Sequence, residues 1–137
     1  MTLDQVRKLI YDRFIAQWGD RTVYELEGED FDEPDPGIEW ARVSVRETDS
    51  GQESIGPKTA RKFERNISAF IQIFTPVIEG MQSGSLHGEL ARNIFEGERL
   101  DPQLWLYEGT ITDIPVRDGE KSRQTSVEII GTYEQIK

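Results

Sequence analysis

The length, composition and charge of this chain exclude several classes of protein. Its 137 residues include 26 acidic and 16 basic side chains, which gives a formal net charge of −10, and they contain no cysteine. Specific nucleic-acid binding depends on lysine and arginine side chains that neutralise phosphates, so this balance argues against a protein that reads DNA or RNA. Without cysteine there is no disulfide framework, no thiolate zinc site and no cysteine nucleophile.

The beginning of the chain does not have the pattern of a signal peptide. Residues 1–8 lack a basic region followed by an apolar run, and no later segment approaches the length of a membrane span. We therefore expect the protein to be cytosolic when it is made. The length matches one domain, which we predict to cover residues 1–137.

The first predicted element is an amphipathic helix over residues 3–18. Thr2 and Gln5 have the spacing of a capping box, in which each side chain bonds the backbone N–H of the other residue. A stripe of this width is more often packed on the protein's own sheet than on a partner. Apolar residues recur at helical spacing until Gly19, namely Leu3, Val6, Ile10, Phe14 and Trp18.

Three strands are predicted after this helix. Residues 22–27 have moderate strand character, and residues 39–46 alternate between apolar and polar side chains. A polar stretch rich in Ser, Gly and Gln then predicts a long loop at about 47–60. In residues 61–74 the odd positions form one apolar face, and Phe70 and Phe74 on the other face indicate a central strand.

A second helix and two more strands complete the predicted order. Strands are expected at about 104–116 and 122–133, joined by a hairpin turn at Asp118-Gly119. The order α-β-β-β-α-β-β indicates an α+β fold, in which a mainly antiparallel or mixed sheet of about five strands packs against two helices. The second helix ends near Gly97 and is indicated by Leu86, Leu90 and Ile94.

His87 is the only histidine of the chain. No Gly-x-Ser-x-Gly or His-Glu-x-x-His motif surrounds it, and a histidine serves catalysis only with positioned partners. We therefore expect a solvent-facing or partly packed helical residue and no catalytic residue. An enzyme is the least favoured class, although paired carboxylates can act without a histidine.

The densest charge cluster is the acidic segment at residues 25–39. A calcium loop of the EF-hand type that opened at Asp30 would place Pro34 and Asp35 where a ligand and the turn glycine belong. We therefore expect no metal and no cofactor, and interpret the segment as a solvated loop or as a surface that meets a basic partner. Its central acidic residues are Glu29, Asp30, Asp32, Glu33 and Asp35.

Basic side chains flank the polar loop, namely Lys58, Arg61, Lys62 and Arg65. They are few and are interrupted by Glu64, so a protein partner with an acidic surface is a more economical interpretation than phosphate. One acidic segment and one basic hairpin on the same subunit can meet head-to-tail and close a cyclic ring.

Short segments are spread along nearly the whole chain, namely EDFDEP (29–34), WARVSV (40–45), GQESIG (51–56), RKFER (61–65), QIFTP (72–76), Glu79-Gly80, ARNIFEG (91–97) and TYEQIK (132–137). In their order and spacing, these segments together resemble the tail-terminator-like, or tail completion, proteins of long-tailed bacteriophages and prophages. The resemblance implies a small α/β subunit that forms a ring, commonly a hexamer, at the head-proximal end of the virion tail.

The resemblance also implies the partners of such a ring. One face binds the last layer of the tail tube protein, and the other presents a different surface to the head-tail connector protein, so that tube polymerisation stops. Assembly takes place in the host cytoplasm, without specific nucleic-acid binding, a membrane or catalytic residues. An acidic lumen would let DNA pass without binding.

The tip and flanks of the polar loop are the candidate contacts of this ring with itself or with the tube, because loops carry binding more often than stability. An ordinary surface loop is the alternative. The acidic residues at 29–35 are a candidate second interface or lumen wall. The loop candidates are Arg46, Gln52, Glu53, Ser54, Lys58, Arg61, Lys62 and Arg65.

Two other functions are compatible with the sequence. A head-completion or neck protein would form a similar ring and differ only in the partner that it docks. A small intracellular acidic binding domain would instead be a monomer or dimer and would use the acidic segment to bind basic partners.

Overall fold

The part of the chain that the structure describes folds into one six-stranded sheet with two helices on one of its faces. The structure is a computed structural model that describes residues 1–35, 37–52, 61–117 and 119–136. In chain order the elements are α1 (Leu3–Trp18), β1 (Val23–Leu26), β2 (Trp40–Gln52), β3 (Lys62–Pro76), a 3₁₀ turn (Val77–Glu79), α2 (Gln82–Phe95), β4 (Arg99–Asp101), β5 (Leu104–Ile114) and β6 (Ser122–Ile136).

The sheet has the strand order β1-β2-β3-β6-β5-β4. β1 is parallel to β2, with Val23 opposite Trp40 and Leu26 opposite Val43, so β2 starts at the end of the sheet at which β1 began. All other neighbouring pairs are antiparallel. The predicted α+β class and the mainly antiparallel sheet are confirmed, with six strands where about five were expected. The extra strand, β4, is too short to give a periodic signal.

The first helix and the central strand follow the sequence pattern closely. α1 has the predicted bounds, and the backbone N–H of Gln5 donates to Thr2 Oγ1 at 3.2 Å in the expected capping box. β3 lies between β2 and β6, as its two-sided apolarity indicated. Its odd positions face the helices and are fully buried, namely Ile67, Ala69, Ile71 and Ile73.

The prediction of a loop from about residue 47 is wrong for its first part, because β2 continues to Gln52. It pairs with β3 as far as the Gln52–Phe63 pair, after a bulge between Glu47 and Asp49. This part of the hairpin is held by backbone pairing and needs no apolar alternation, since the core ends near the bulge. Residues 53–60 lie outside the described residues.

Two glycines of α2 explain why its beginning was difficult to predict. Gly84 and Gly88 are buried on the face that the helix turns toward β5 and β6. The absence of side chains there allows close packing, although glycine lowers helix propensity. None of the helices in the described ranges is long and apolar enough to cross a membrane.

The close approach of strands at Gly131 gives a stability prediction with a matched control. A Cβ atom added at Gly131 would lie 2.7 Å from the Trp105 carbonyl oxygen, so Gly131→Ala should destabilise the fold. We expect a loss of about 1–3 kcal/mol, typical of overpacking. Gly88→Ala would place its Cβ no closer than 3.4 Å to any side chain. It should stabilise α2 by up to about 1 kcal/mol.

Urea denaturation of both variants measures this difference. Equal midpoints for the two variants would contradict the packing that the structure gives for these glycines.

Candidate assembly surface

The face of the sheet opposite the helices is largely polar. Ser44, Ser68 and Ser126 lie on this open face, and the Ser68 hydroxyl donates to Glu128 Oε2 at 2.8 Å. Polar side chains of this kind are typical of the side of an antiparallel sheet that does not pack on the core. Ser44 and Ser68 are themselves buried, so a partner could contact this face only through its longer side chains.

An aromatic stack attaches the acidic segment to one end of this open face. The rings of Phe31 and Trp40 are stacked with centroids 5.4 Å apart, and Trp40 stacks on Phe74 at 4.2 Å. The Arg42 guanidinium lies 5.1 Å from the centroid of Trp40 and pairs with Glu25. Stacked rings and a cation over a ring each add about 0.5–1.5 kcal/mol beyond burial.

The five predicted acidic residues lie on either side of Phe31 in the chain. Glu29 lines a groove beside α1, together with Arg7 and Tyr11, and Glu33 lies beside Phe74. The side chains of all five extend from the segment that Phe31 holds against the sheet, and none of them forms an ion pair with another described residue. They are all exposed, namely Glu29, Asp30, Asp32, Glu33 and Asp35. Their negative charge is thus presented to solvent or to a partner. Among the described residues no group of three His, Asp or Glu side chains is arranged to hold a metal ion.

The predicted basic residues lie from the middle of β2 to the start of β3, and most of the described ones have carboxylate partners in the same chain. Arg46 donates two hydrogen bonds of 2.7 Å to Glu27, and Lys62 lies 2.9 Å from Glu134. The hydrogen bond from Arg46 lowers the pKa of Glu27 below its ordinary value. These cations can therefore contact a partner only by sharing or exchanging an internal carboxylate.

Arg65 is the most enclosed of the basic candidates. Its side chain is 16% exposed, and its guanidinium donates to Gln135 Oε1 at 3.1 Å and lies 3.9 Å from Glu47. Tyr133 donates to the same carboxylate at 3.1 Å, and burial raises its pKa. Arg65 thus contributes first to the packing of the loop-proximal end of the β2–β3 hairpin, where Gln52 pairs with Phe63.

Of the remaining loop candidates, the structure describes Arg61 and Gln52. Arg61 is half-buried just before β3, and Gln52 ends β2 opposite Phe63. Glu53, Ser54 and Lys58 lie outside the described residues. Arg46 thus lies beside the acidic segment, whereas Lys62 and Arg65 lie near the loop that joins β2 and β3.

The sheet has two incomplete edges, which the sequence analysis did not identify. β1 pairs with β2 only from Trp40 to Val43, and β4 pairs with β5 only at Leu104 and Trp105. The outer sides of residues 44–52 of β2 and 107–114 of β5 therefore have no neighbouring strand among the described elements. Unpaired edges of this length are templates for pairing with another chain.

His87 is buried, which corrects the expectation of a solvent-facing or partly packed residue. It is 8% exposed, its Nε2 lies 2.8 Å from Glu39 Oε2, and its ring centroid lies 5.7 Å from that of Trp18. Ser83 donates to the other Glu39 oxygen at 2.5 Å. The imidazole contacts the carboxylate and not the hydroxyl, so this arrangement fastens α2 to the start of β2 rather than activating a nucleophile.

Loss of the His87 side chain should destabilise the protein. His87→Ala removes the hydrogen bond to Glu39 and the packing against Trp18, and we expect a loss of about 2–4 kcal/mol. Leu86→Ala on the same helix is the control, because Leu86 is 60% exposed. It should change the free energy of unfolding by less than about 0.5 kcal/mol. Similar urea midpoints for both variants would show that the buried contact adds nothing.

The Arg46–Glu27 pair gives a prediction for pH. A carboxyl with a lowered folded-state pKa contributes stability above its unfolded-state pKa of about 4.3 and loses it as the pH falls through the folded-state value. Glu27 is 44% exposed, and Glu27→Gln should cost no more than about 1 kcal/mol at neutral pH because solvent screens the pair. In urea denaturation this difference from the unmodified chain should shrink as the pH falls below the unfolded-state pKa of about 4.3, and a difference that grows in acid would contradict it.

Comparison with known proteins extends the description of the fold. No protein-family model matches the chain, and no curated protein sequence is significantly similar to it. A solved structure whose name states no function is similar over 93% of this chain and 94% of its own, with a TM-score of 0.60 and 12% identity. A chain from the virion of a native gene transfer agent particle is similar over 94% of both chains, with a TM-score of 0.49 and 13% identity. At 12% identity the likeness to the first structure concerns the fold alone.

Proposed function

We propose that this chain is a structural protein of a phage-like virion, whose copies form a ring that caps the tail tube at its head-proximal end. The ring binds the last layer of tube protein, ends tube polymerisation and offers the head-tail connector a surface. The chain acts through shape and charge and catalyses no reaction.

The two incomplete edges of the sheet carry the assembly part of this proposal. One is on β2 and the other on β5, so they lie on opposite sides of the same sheet. Two different complementary surfaces on opposite sides of a subunit favour head-to-tail contacts, and such contacts close into a ring when the rotation between copies allows it. The sequence resemblance to tail-terminator-like proteins supports the virion part of the proposal.

The charge distribution fits a ring through which DNA passes. The acidic residues at 29–35 that lie on either side of Phe31 are exposed, and their field repels phosphate. A lumen lined in this way would exclude tight DNA contacts during passage. The same acidic surface would attract basic side chains of a tube or connector protein.

Solution mass across a wide range of protein concentration and of salt tests the ring. Light scattering should give one closed oligomer, and a hexamer is the expected state. A monomer at every concentration and salt would contradict a ring that assembles on its own and would favour the small acidic binding domain.

A charge-reversal variant tests the basic side of the hairpin. Arg61→Glu with Lys62→Glu should abolish ring formation while leaving the fold intact, because both residues lie at or directly before the start of β3, next to the loop that joins it to β2. The matched control is Arg7→Glu with Lys8→Glu, which makes the same change in net charge on α1. Circular dichroism checks the fold of both variants. Normal assembly of the hairpin variant would remove these two residues from the interface.

A further inference from the structure

We infer that neighbouring copies join by pairing of sheet edges, with residues 110–114 of β5 in one copy running antiparallel to residues 44–48 of β2 in the next. The inference rests on the proposed ring in taking a second copy as the occupant of each edge. Beyond the proposed ring, it specifies which strands of neighbouring copies pair, in which register, and which side chains meet.

The peptide groups that point outward from the two edges are defined by contacts in the structure. The Val43 carbonyl accepts a hydrogen bond from the Glu27 N–H at 2.9 Å, on the β1 side of β2. The Gly109 N–H donates to Glu96 Oε2 at 2.8 Å, on the outer side of β5. Outward-pointing groups alternate along a strand, so they belong to odd residues on both edges up to the β2 bulge.

These odd residues also share a face of the sheet. Val43 and Val45 of β2 point to the helices, as does Ile111 of β5, which packs against the core. Pairing of odd residues with odd residues therefore continues the sheet from one copy to the next with the helices on the same side. An opposite pairing would turn one buried face to the solvent.

Some outward peptide groups of β2 and β5 already have a hydrogen-bond partner within the chain, and the groups that remain allow one register between the two edges. Glu96 covers the Gly109 N–H, which leaves Ile111 and Asp113 as the next outward residues of β5. β1 covers β2 up to Val43, which leaves Val45 and Glu47 before the bulge. In an antiparallel pair both sets meet when Asp113 lies opposite Val45 and Ile111 lies opposite Glu47.

A displaceable side chain covers part of the β2 edge in the single copy. Arg46 Nη1 donates to the Val45 carbonyl at 3.2 Å and, on the same guanidinium, to Glu27. The Arg46 side chain is 53% exposed, so it can move aside without leaving a buried cavity. In the inferred pair Arg46 lies opposite Thr112, which is also exposed.

The inferred register has the geometry of a closed barrel. Within one copy the register pairs place Arg46 level with Glu108, through Ser68 and Ile130. Pairing Arg46 with Thr112 of the next copy therefore shifts each copy by four residues, or about 13 Å, over the roughly 19 Å width of four strands. The resulting strand tilt of about 35° lies within the range of closed barrels.

Engineered disulfides test the strands and the register directly, because the chain contains no cysteine of its own. Within one copy residues 46 and 112 lie on strands three spacings apart, about 14 Å, which no disulfide can bridge. Arg46→Cys and Thr112→Cys are prepared as separate variants and oxidised alone and mixed. We expect a cross-linked dimer only in the mixture, and a covalent ladder up to the closed ring for the double variant.

The control for register is Arg46→Cys mixed with Glu108→Cys, which would cross-link if the copies met without the shift. It should form at least tenfold less dimer than the mixture with Thr112→Cys. Equal cross-linking of the two mixtures overturns the inferred register, and dimers of Thr112→Cys alone overturn the head-to-tail contact in favour of pairing between two β5 edges.

Light scattering on the same samples separates this inference from the proposed ring. Oligomers of ring mass that form no disulfide between residues 46 and 112 would support the proposed ring and overturn the edge pairing. Monomers without any cross-link, up to the solubility limit, would count against both.

Discussion

The pairing of β3 with β6 is the constraint on which the rest of the structure depends. The two strands stay in one register over their whole length, from Lys62–Ile136 to Pro76–Ser122, without a bulge. Because alternate residues of both strands are buried, a slip by one position would turn Ile71 and Val127 out of the core. This pair fixes which face receives the helices, and β2 and β5 then add on either side with bulges that the rigid centre tolerates.

The charges follow from the same architecture. The loop-proximal ends of β2 and β3 extend beyond the end of the core. There basic side chains lie beside carboxylates on neighbouring strands, as Lys62 lies beside Glu134. The acidic segment is held near its start by ion pairs of Glu25 with Arg42 and of Glu27 with Arg46, and near its middle by the stack of Phe31 on Trp40. The five acidic residues at 29–35 are exposed and form no ion pair with another described residue, so they are the part of the segment that a partner can reach.

Periodicity predicted the elements that pack, and it failed where packing does not decide the structure. The stripe from Val6 to Trp18 and the alternation of β3 reflect burial directly, so helix, strand and central position could all be predicted. The extension of β2 is stabilised by backbone pairing, which leaves no trace in hydrophobicity. The burial of His87 depends on Glu39, which is distant in sequence, and no local pattern indicates this contact. The edges became visible only with the strand order, since an unpaired peptide group is a property of topology.

The side chains that cover the sheet edges affect how readily a single copy of the chain aggregates. An uncovered edge recruits any extended chain, including that of an unfolding neighbour, and this is a route to fibrils. Arg46 lies across the Val45 carbonyl, Glu96 lies across the Gly109 N–H, and Pro115 follows directly after β5. Each of the two charged side chains is held in place by a surface hydrogen bond that water or the correct partner can replace. In the proposed ring, such contacts would shield an unassembled copy from indiscriminate aggregation while leaving its edges able to pair.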